Sequence, residues 1–383
     1  MYELITALRN RTHKLLYKNI LQPVLFQIDP EIIHDRMVTI GQFLGKFYVL
    51  RQITSLFFNY SNKNLEQEIL GIKFNNPVGL GAGFDKNAQL TQILPSLGFG
   101  FAEVGSITGK PCKGNPKPRL WRLKKSKSLL VYYGLKNDGS DAISKKLKKL
   151  RLEIPIGINI AKTNSKDTVK VDAGIRDYAK AFKKFISIGA YFTINISCPN
   201  AYGGQPFTDS VKLEKLLTRI DKIYTNKPIF LKLSPDLTNN DVDKILEVSE
   251  KHRVNGFICA NLTKNRNNSR IKDSIISKEG GVSGKVVEDL SNDLISYVYK
   301  KTCVSHAQNK KTNGKFVIIG LGGVFKAEDA YKKIKLGASL VQLITGMIYE
   351  SPQVISEINQ GLVKLLVKDG YSNISQAIGA DNK

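Results

Sequence analysis

The stretch from Val317 to Gly346, VIIGLGGVFKAEDAYKKIKLGASLVQLITG, contains two short apolar runs, each followed at once by glycine. The first run leads into Gly322-Gly323, and the second into Thr345-Gly346. Between them lies a longer segment with the composition of a helix. A β-rich run, a helical segment and a second β-rich run form the repeating unit of a parallel sheet. This stretch therefore predicts a βαβ unit with glycine at the end of each strand.

The same alternation extends back to about residue 70 and gives eight β-rich runs. They are Pro77–Leu80, Phe101–Val104, Ile156–Ile160, Phe192–Ile196, Ile229–Leu233, Gly256–Cys259, Phe316–Ile319 and Leu340–Ile344. Eight parallel strands close a (β/α)8 barrel. An open doubly wound sheet would show the same periodicity, so periodicity alone does not separate the two folds.

The placement of polar residues and glycines favours the barrel. Such residues stand at or just after the C-terminal ends of the runs: Lys86, Ser106, Asn159, Asn195 with Cys198, Lys232, Asn261, Gly322 with Gly323, and Thr345 with Gly346. A single asparagine after a strand is usually a turn former. Eight such positions, however, are expected where strand ends meet at one active-site mouth. The sequence therefore predicts an α/β fold of the TIM-barrel type.

The first 62 residues differ from the barrel segment, which we place at residues 63–383. They are rich in apolar and aromatic residues and predict amphipathic helices divided near Asp29-Pro30. These helices would lie on an interface or close a hydrophobic tunnel; the alternative is a helical cap over the barrel floor. The aromatic density of FYVLRQITSLFFNY, residues 47–60, favours a membrane or quinone surface.

Composition narrows the class of protein. The chain has 383 residues, 42% of them hydrophobic, and a formal charge of +25. Its lysines are spread along the whole chain without a nucleic-acid-binding motif, so we expect no nucleic-acid partner. The four cysteines are too few for a disulfide framework and form no CxxC pair, so we expect reduced thiols and no metal site. The start lacks a secretory signal, and no apolar stretch is long enough to span a bilayer, which leaves a peripheral membrane role open.

The glycines after the seventh and eighth runs stand where this fold binds phosphate, because bare backbone N–H groups can close on an anion there. Either pair alone could be only a tight turn. No GxGxxG opens an early βα unit and no Walker A sequence is present, so flavin mononucleotide (FMN) is the natural phosphorylated cofactor. Lys232 would then be a fixed cation near the flavin N1 edge, or else a strand-end lysine that reaches solvent.

The segment TINISCPNAYGG, residues 193–204, carries the candidate chemistry. Asn195 and Asn200 offer amide donors and acceptors to a polar planar ring. Cys198 lies on a proline-fixed loop, where its thiolate could remove a proton. Cysteine is also often only a small buried hydrophobe, and that alternative stays open.

Several motifs together resemble the dihydroorotate dehydrogenases. They are NPVGLGAGFDKN, GNPKPRLWRL, NISCPN, LKLSPD, GGVSGK, IIGLGG and GASLVQLITG. The resemblance covers roughly residues 25 to 360. LFQIDPEIIHDRM, residues 25–37, resembles the membrane-associated, quinone-using class, whose extra helices form the quinone entry.

The resemblance implies oxidation of dihydroorotate to orotate in pyrimidine biosynthesis, with FMN as cofactor and a quinone as acceptor. It implies a peripheral location at the cytoplasmic side of the cell membrane, with a cytoplasmic location as the alternative. Cys198 takes the place of the catalytic base. The substrate-binding positions are Lys86, Gly134, Leu135, Asn195, Asn200 and Asn261. The cofactor-binding positions are Ala82, Gly83, Lys86, Ser106, Asn159, Asn195, Lys232, Ala260, Gly284, Gly322, Gly323, Ile344, Thr345 and Gly346.

Two departures from the family pattern bear on substrate and acceptor. Quinone-using members usually have serine as the base, so Cys198 resembles the soluble classes and opens the possibility of a non-quinone acceptor. The family motif Asn-x-x-Gly-[Phe/Leu]-x-Asn begins here with Val131, which cannot make the hydrogen bond of asparagine. That loss could cost about 1–3 kcal/mol if the substrate group is buried unpaired.

Two further readings follow from these departures and from the charge. Either a neighbouring tyrosine replaces the lost amide, or the enzyme acts on another pyrimidine, as the dihydropyrimidine dehydrogenases do. A non-catalytic basic barrel that binds an acidic surface would instead carry no flavin.

Overall fold

Eight parallel strands close into a barrel in the computed structural model, which describes residues 1–274, 279–304 and 316–382. In chain order the strands are β1 (Gln67–Ile69), β2 (Ile72–Phe74), β3 (Val78–Leu80), β4 (Phe101–Ile107), β5 (Leu120–Leu123), β6 (Ser128–Val131), β7 (Ile156–Ile160), β8 (Tyr191–Asn195), β9 (Ile229–Lys232), β10 (Gly256–Cys259), β11 (Gly281–Val282), β12 (Val317–Leu321) and β13 (Leu340–Leu343). The barrel runs β3, β4, β7, β8, β9, β10, β12, β13 and back to β3. Each predicted run supplies one barrel strand, so the predicted TIM barrel is confirmed.

Helices surround the barrel and precede it. They are α1 (Tyr2–Leu16), α2 (Gln22–Leu25), α3 (Pro30–Lys46), α4 (Tyr48–Phe58), α5 (Gly139–Leu147), α6 (Val171–Lys184), α7 (Ser210–Asp221), α8 (Asn239–Glu250), α9 (Glu288–Tyr299), α10 (Ala327–Lys335), α11 (Thr345–Glu350) and α12 (Val354–Lys368). Helix α6 shows why these segments fold on the barrel: Tyr178 and Phe182, four residues apart, are both buried in the core. Its opposite face carries lysines to solvent.

The barrel floor is closed by the hairpin of β1 and β2. Phe74 of this hairpin packs edge-to-face on Phe101 of β4, with ring centroids 5.5 Å apart. Tyr191 and Phe230, from β8 and β9, complete this aromatic layer. The alternative that the N-terminal helices cap the floor is therefore wrong, because the hairpin already fills that place.

The opposite end of the barrel is partly covered by a three-stranded sheet of β5, β6 and β11. Its strands are antiparallel, and Val131 at the end of β6 pairs with both Leu120 and Gly281. Helix α3 packs against β5, so the N-terminal helices reach the mouth of the barrel from the side. Residues of this sheet thereby come to face the strand ends.

Helix α3 begins where the sequence predicts a division. The Asp29 carboxylate accepts hydrogen bonds from the backbone N–H groups of Glu31 and Ile32, and Pro30 occupies the first turn. The boundary at residue 62 between extension and barrel stays a prediction. The side chain of Cys303 lies outside the described residues; Cys112, Cys198 and Cys259 are free thiols.

Candidate active site

The C-terminal ends of the barrel strands open into a cavity of about 920 Å³, which we call the central cavity. The sequence-predicted residues that line it are Ala82, Gly83, Lys86, Ser106, Gly134, Leu135, Asn195, Cys198, Asn200, Lys232, Asn261, Ile344 and Thr345. These residues come from segments up to about 260 positions apart in the chain, and the closed barrel brings their side chains together.

A second cavity of about 460 Å³, the glycine cavity, adjoins the first and shares Lys232 and Thr345 with it. The predicted positions that line it are Ala82, Lys232, Ala260, Asn261, Gly284, Gly322, Gly323, Ile344, Thr345 and Gly346. A Cβ on Gly346 would lie 2.0 Å from the carbonyl oxygen of Val324, and one on Gly323 would lie 2.4 Å from the Cβ of Glu288. These positions therefore require glycine, and their bare backbone can approach a ligand closely.

Asn159 is the one predicted cofactor residue that lines neither of these two cavities. It is fully buried on β7, beneath Ser106. Its side-chain oxygen accepts a hydrogen bond from the Ser106 hydroxyl, with a distance of 2.5 Å between the oxygens. Asn159 thus reaches the central cavity only through Ser106.

Cys198 faces the central cavity from the loop after β8. Burial raises the pKa of its thiol, and the positive charges of Lys162 and Lys232 lower it. Lys162 also holds the loop in place, because its ammonium donates to the carbonyl oxygen of Tyr202 at 2.6 Å. Burial is the larger effect, so the pKa of Cys198 stays above its usual value, and the two cations favour the thiolate only in part.

The amides of Asn195, Asn200 and Asn261 each have a backbone partner, and Asn195 Oδ1 accepts from the Ser197 backbone N–H at 3.2 Å. Asn200 Nδ2 donates to the Val131 carbonyl oxygen at 2.9 Å, while Asn200 Oδ1 is buried and has no partner in the described part of the chain. Asn261 Oδ1 accepts from the Leu262 backbone N–H at 2.9 Å. The Asn200 oxygen is thus an acceptor available to a ligand with an N–H group.

Lys86 is the cation at the opposite wall of the central cavity. Burial lowers its pKa to about 7, and the nearby Asp35 and Glu31 carboxylates raise it in part. Its ammonium lies 2.7 Å from Nε2 of His34 and 4.1 Å from the centre of the Tyr133 ring. Burial and the charge of Lys86 hold the pKa of His34 well below its usual range, so the imidazole is neutral and can accept from Lys86.

Sequence reasoning missed His34 and Ser283 at the central cavity, and it named a neighbouring tyrosine without identifying it as Tyr133. Ser283 lies 2.8 Å from the Thr345 hydroxyl, oxygen to oxygen, and its signal was its place just before Gly284 in the motif GGVSGK. His34 lies on α3, outside the barrel strands, so no pattern at the strand ends points to it.

A third cavity of about 1110 Å³, the N-terminal cavity, lies between α3 and the barrel. Its wall is mostly aliphatic and aromatic, and the polar side chains that line it are those of Tyr17, His34 and Arg122. Nε of Arg122 is buried without a hydrogen-bond partner among the described residues. His34 and Phe84 line this cavity and the central cavity alike, so the two share a wall.

This arrangement is that of a (β/α)8-barrel enzyme whose reactive groups lie at the C-terminal ends of the strands. The chain belongs to the dihydroorotate dehydrogenase family, whose model matches residues 64–366. It is 35% identical to "Dihydroorotate dehydrogenase (quinone)" of Trichodesmium erythraeum, over 96% of this chain and 99% of that protein. It is 38% identical to the protein of the same name from Christiangramia forsetii, over 91% of this chain and 99% of that protein.

A solved structure shows the same fold. The crystal structure of DHODH from Eimeria tenella in complex with ferulenol superposes with a TM-score of 0.81. The two chains are 30% identical, and the match covers 93% of this chain and 96% of the other. The similarity therefore includes the N-terminal helices as well as the barrel.

Proposed function

We propose that this chain oxidises dihydroorotate to orotate with FMN as cofactor and passes the electrons to a quinone. The observation that carries the proposal is the row of three adjoining cavities: a glycine cavity for phosphate, a central cavity with acid–base groups, and an apolar N-terminal cavity. The relatives named above carry the same activity in their names.

The residues present fit a flavin mononucleotide. Gly284, Gly323 and Gly346 line the glycine cavity, where residues without a side chain leave the backbone N–H groups accessible to a phosphate. Lys232 is buried at the junction of the glycine and central cavities and supplies a positive charge for the ring. A flavin bound there supplies the acceptor for the hydride of substrate C6.

The central cavity fits the substrate. Protonated Lys86 would bind the dihydroorotate carboxylate, and Asn195, Asn200 and Asn261 would bind the amide edges of its ring. The Cys198 thiolate would remove the proton from C5 and become the thiol. These roles rest on the position of each side chain in the cavity wall.

Tyr133 offers a replacement for the hydrogen bond lost at Val131. It lies two residues after Val131 and lines the central cavity. Its hydroxyl is buried without a hydrogen-bond partner in the described chain, so a bound ligand could satisfy it. This observation favours dihydroorotate over a different pyrimidine.

The N-terminal cavity fits a quinone, which has an apolar ring and tail with two carbonyl acceptors. Arg122 and His34 are the polar groups available to those carbonyls, and the remaining wall is mainly aliphatic and aromatic. Because this cavity shares a wall with the central cavity, an acceptor there would lie close to the flavin site.

The exposed surface of the N-terminal helices fits a peripheral membrane contact. Twenty of the twenty-seven large apolar side chains exposed in the described residues lie within the first 57 residues. They include Phe43, Phe47 and Leu56. Searching the described residues reveals no helix with the length and apolar character needed to cross a bilayer. We therefore propose that these helices lie on the membrane surface, where quinone is dissolved.

Steady-state assays with paired substrates and paired acceptors test the proposal. We expect turnover with dihydroorotate and a soluble quinone, and none with dihydrouracil. Turnover of dihydrouracil alone would assign another pyrimidine. Equal rates with fumarate and quinone would remove the quinone from the proposal. As a check on the acceptor site, Arg122→Ala should weaken quinone use but leave flavin reduction by dihydroorotate unchanged.

A further inference from the structure

Glu103 is a buried carboxylate that the proposed reaction does not use. It lies on β4, inside the barrel and fully shielded from solvent. Its Oε2 accepts from Asn159 Nδ2 at 3.0 Å, and its Oε1 accepts from the Thr193 hydroxyl at 2.7 Å. Lys232 is close enough that the Glu103 charge raises the lysine pKa against the lowering effect of burial. A carboxylate so placed only accepts hydrogen bonds.

A directed chain of hydrogen bonds runs from Glu103 to the wall of the central cavity. Asn159 Nδ2 donates to Glu103, and Asn159 Oδ1 accepts from the Ser106 hydroxyl at 2.5 Å. Ser106 accepts in turn from Asn195 Nδ2 at 2.8 Å. The far end is held separately, because Asn195 Oδ1 accepts from the backbone N–H of Ser197 at 3.2 Å. Asn195 therefore has one orientation whatever happens at Glu103.

The orientation of Asn159 depends on Glu103 alone. An asparagine amide can be turned so that its nitrogen and oxygen exchange places, and only its partners decide between the two states. The partners of Asn159 are Glu103, which only accepts, and the Ser106 hydroxyl, which can donate or accept. Without a fixed acceptor at position 103, both orientations would become available.

The orientation of Asn159 determines what Ser106 can offer to a ligand. A hydroxyl has one proton and two lone pairs. Ser106 donates its proton to Asn159 and accepts from Asn195 with one lone pair. Only its second lone pair is therefore available in the central cavity that it lines. If Asn159 turned, both neighbours would donate to Ser106, and the Ser106 proton would point to the cavity.

We propose that Glu103 is a positioning residue that makes Ser106 a hydrogen-bond acceptor, and so selects an N–H group on the ring bound beside it. The inference rests on the proposed function, in which that ring is the flavin of FMN. Glu103 acts through Asn159 and Ser106 and does not itself line the cavity.

The test measures FMN affinity rather than turnover, by the quenching of flavin fluorescence as stripped protein is reloaded. In Glu103→Gln the side chain keeps its shape but can present either nitrogen or oxygen to Asn159. We expect the FMN dissociation constant to rise about 3- to 10-fold, the effect of about one lost hydrogen bond. Wild-type affinity in this variant would overturn the inference.

A second variant tests rescue. In Glu103→Gln/Asn159→Asp the carboxylate moves one place along the chain of hydrogen bonds, from position 103 to position 159. Position 159 then only accepts hydrogen bonds, so Ser106 must again donate to it. We expect an FMN dissociation constant within about twofold of wild type. An affinity as weak as that of the single variant would contradict the proposed chain. If Glu103→Gln does not fold, the double variant alone decides the question. An FMN affinity close to that of the wild type would then support the proposed chain, and an affinity about tenfold weaker would contradict it.

The matched control is Thr193→Val, which removes the Thr193 hydroxyl that donates to Glu103 and leaves Asn159 untouched. We expect lower thermal stability with unchanged FMN affinity. Equal loss of FMN affinity in this control would mean that Glu103 serves only the integrity of the barrel. Failure of the wild-type protein to bind FMN would instead refute the proposed function, and the two failures are thereby distinguished.

Discussion

The substrate affinity of this enzyme should fall steeply above neutral pH because of Lys86. Burial lowers the pKa of this lysine to about 7, and only its protonated form can pair with the substrate carboxylate. At about pH 8 roughly one-tenth of the free enzyme is protonated at Lys86, and at about pH 9 roughly one-hundredth. The KM for dihydroorotate should therefore rise about 10-fold and then about 100-fold above its low-pH limit.

The assay is initial-rate kinetics from about pH 6 to about pH 9 with quinone in excess. Lys86→Arg keeps the charge throughout this range, so its KM should not depend on pH in the same way. Lys86→Met should show a high KM at every pH. A wild-type KM that stays flat to about pH 9 would refute both the low pKa and the contact with the carboxylate.

Three other changes, one of them with Gly370→Ala as its control, test separate parts of the account. Cys198→Ala should lower kcat by about 10²- to 10⁴-fold with FMN still bound, and an unchanged kcat would exclude Cys198 as the base. Gly346→Ala places a Cβ 2.0 Å from the Val324 carbonyl oxygen and should abolish tight FMN binding, measured by flavin content. Gly370→Ala, where φ is +78° and the space is open, should cost about 1 kcal/mol of stability and leave flavin content unchanged. Burial lowers the pKa of Lys333 to about 7, so the unfolded chain binds more protons above pH 7 and the free energy of unfolding should rise with pH. Lys333→Met should remove about 2 kcal/mol of that rise between about pH 7 and pH 9, as urea unfolding would show; an equal rise in both proteins would contradict the lowered pKa.

Much of the barrel and its mouth could be predicted from the sequence because strand ends are marked locally. Lys232 and Asn261 each follow a short apolar run, and the barrel carries such positions to one place. The structure contradicts the solvent reading of Lys232, which is buried at the cavity, while its contact with a flavin stays a prediction.

The parts that could not be predicted depend on contacts between distant segments. The floor hairpin rests on Phe74 meeting Phe101, and three-residue strands leave too little pattern to detect. His34 approaches Lys86 across 52 positions of sequence, so neither their contact nor the low pKa of Lys86 has a local signal. In the sequence, Glu103 is a single charged residue within a β-rich run. Its hydrogen-bond partners come from other strands and are brought to it only in the closed barrel.

The structure changes the expected effect of valine at position 131 on substrate binding. From the motif alone, valine removes a substrate hydrogen bond. In the fold, the Val131 carbonyl holds Asn200, and the unpaired Tyr133 hydroxyl lies in the same wall. The Tyr133 hydroxyl is therefore the group that we propose takes the place of the lost amide.

The most direct test of the central claim is an anaerobic titration of the purified, FMN-loaded protein with dihydroorotate, followed by flavin absorbance. The account predicts loss of the oxidised flavin band at one equivalent of dihydroorotate and its return when quinone is added. A flavin-loaded protein whose absorbance does not change with dihydroorotate would contradict the proposed substrate.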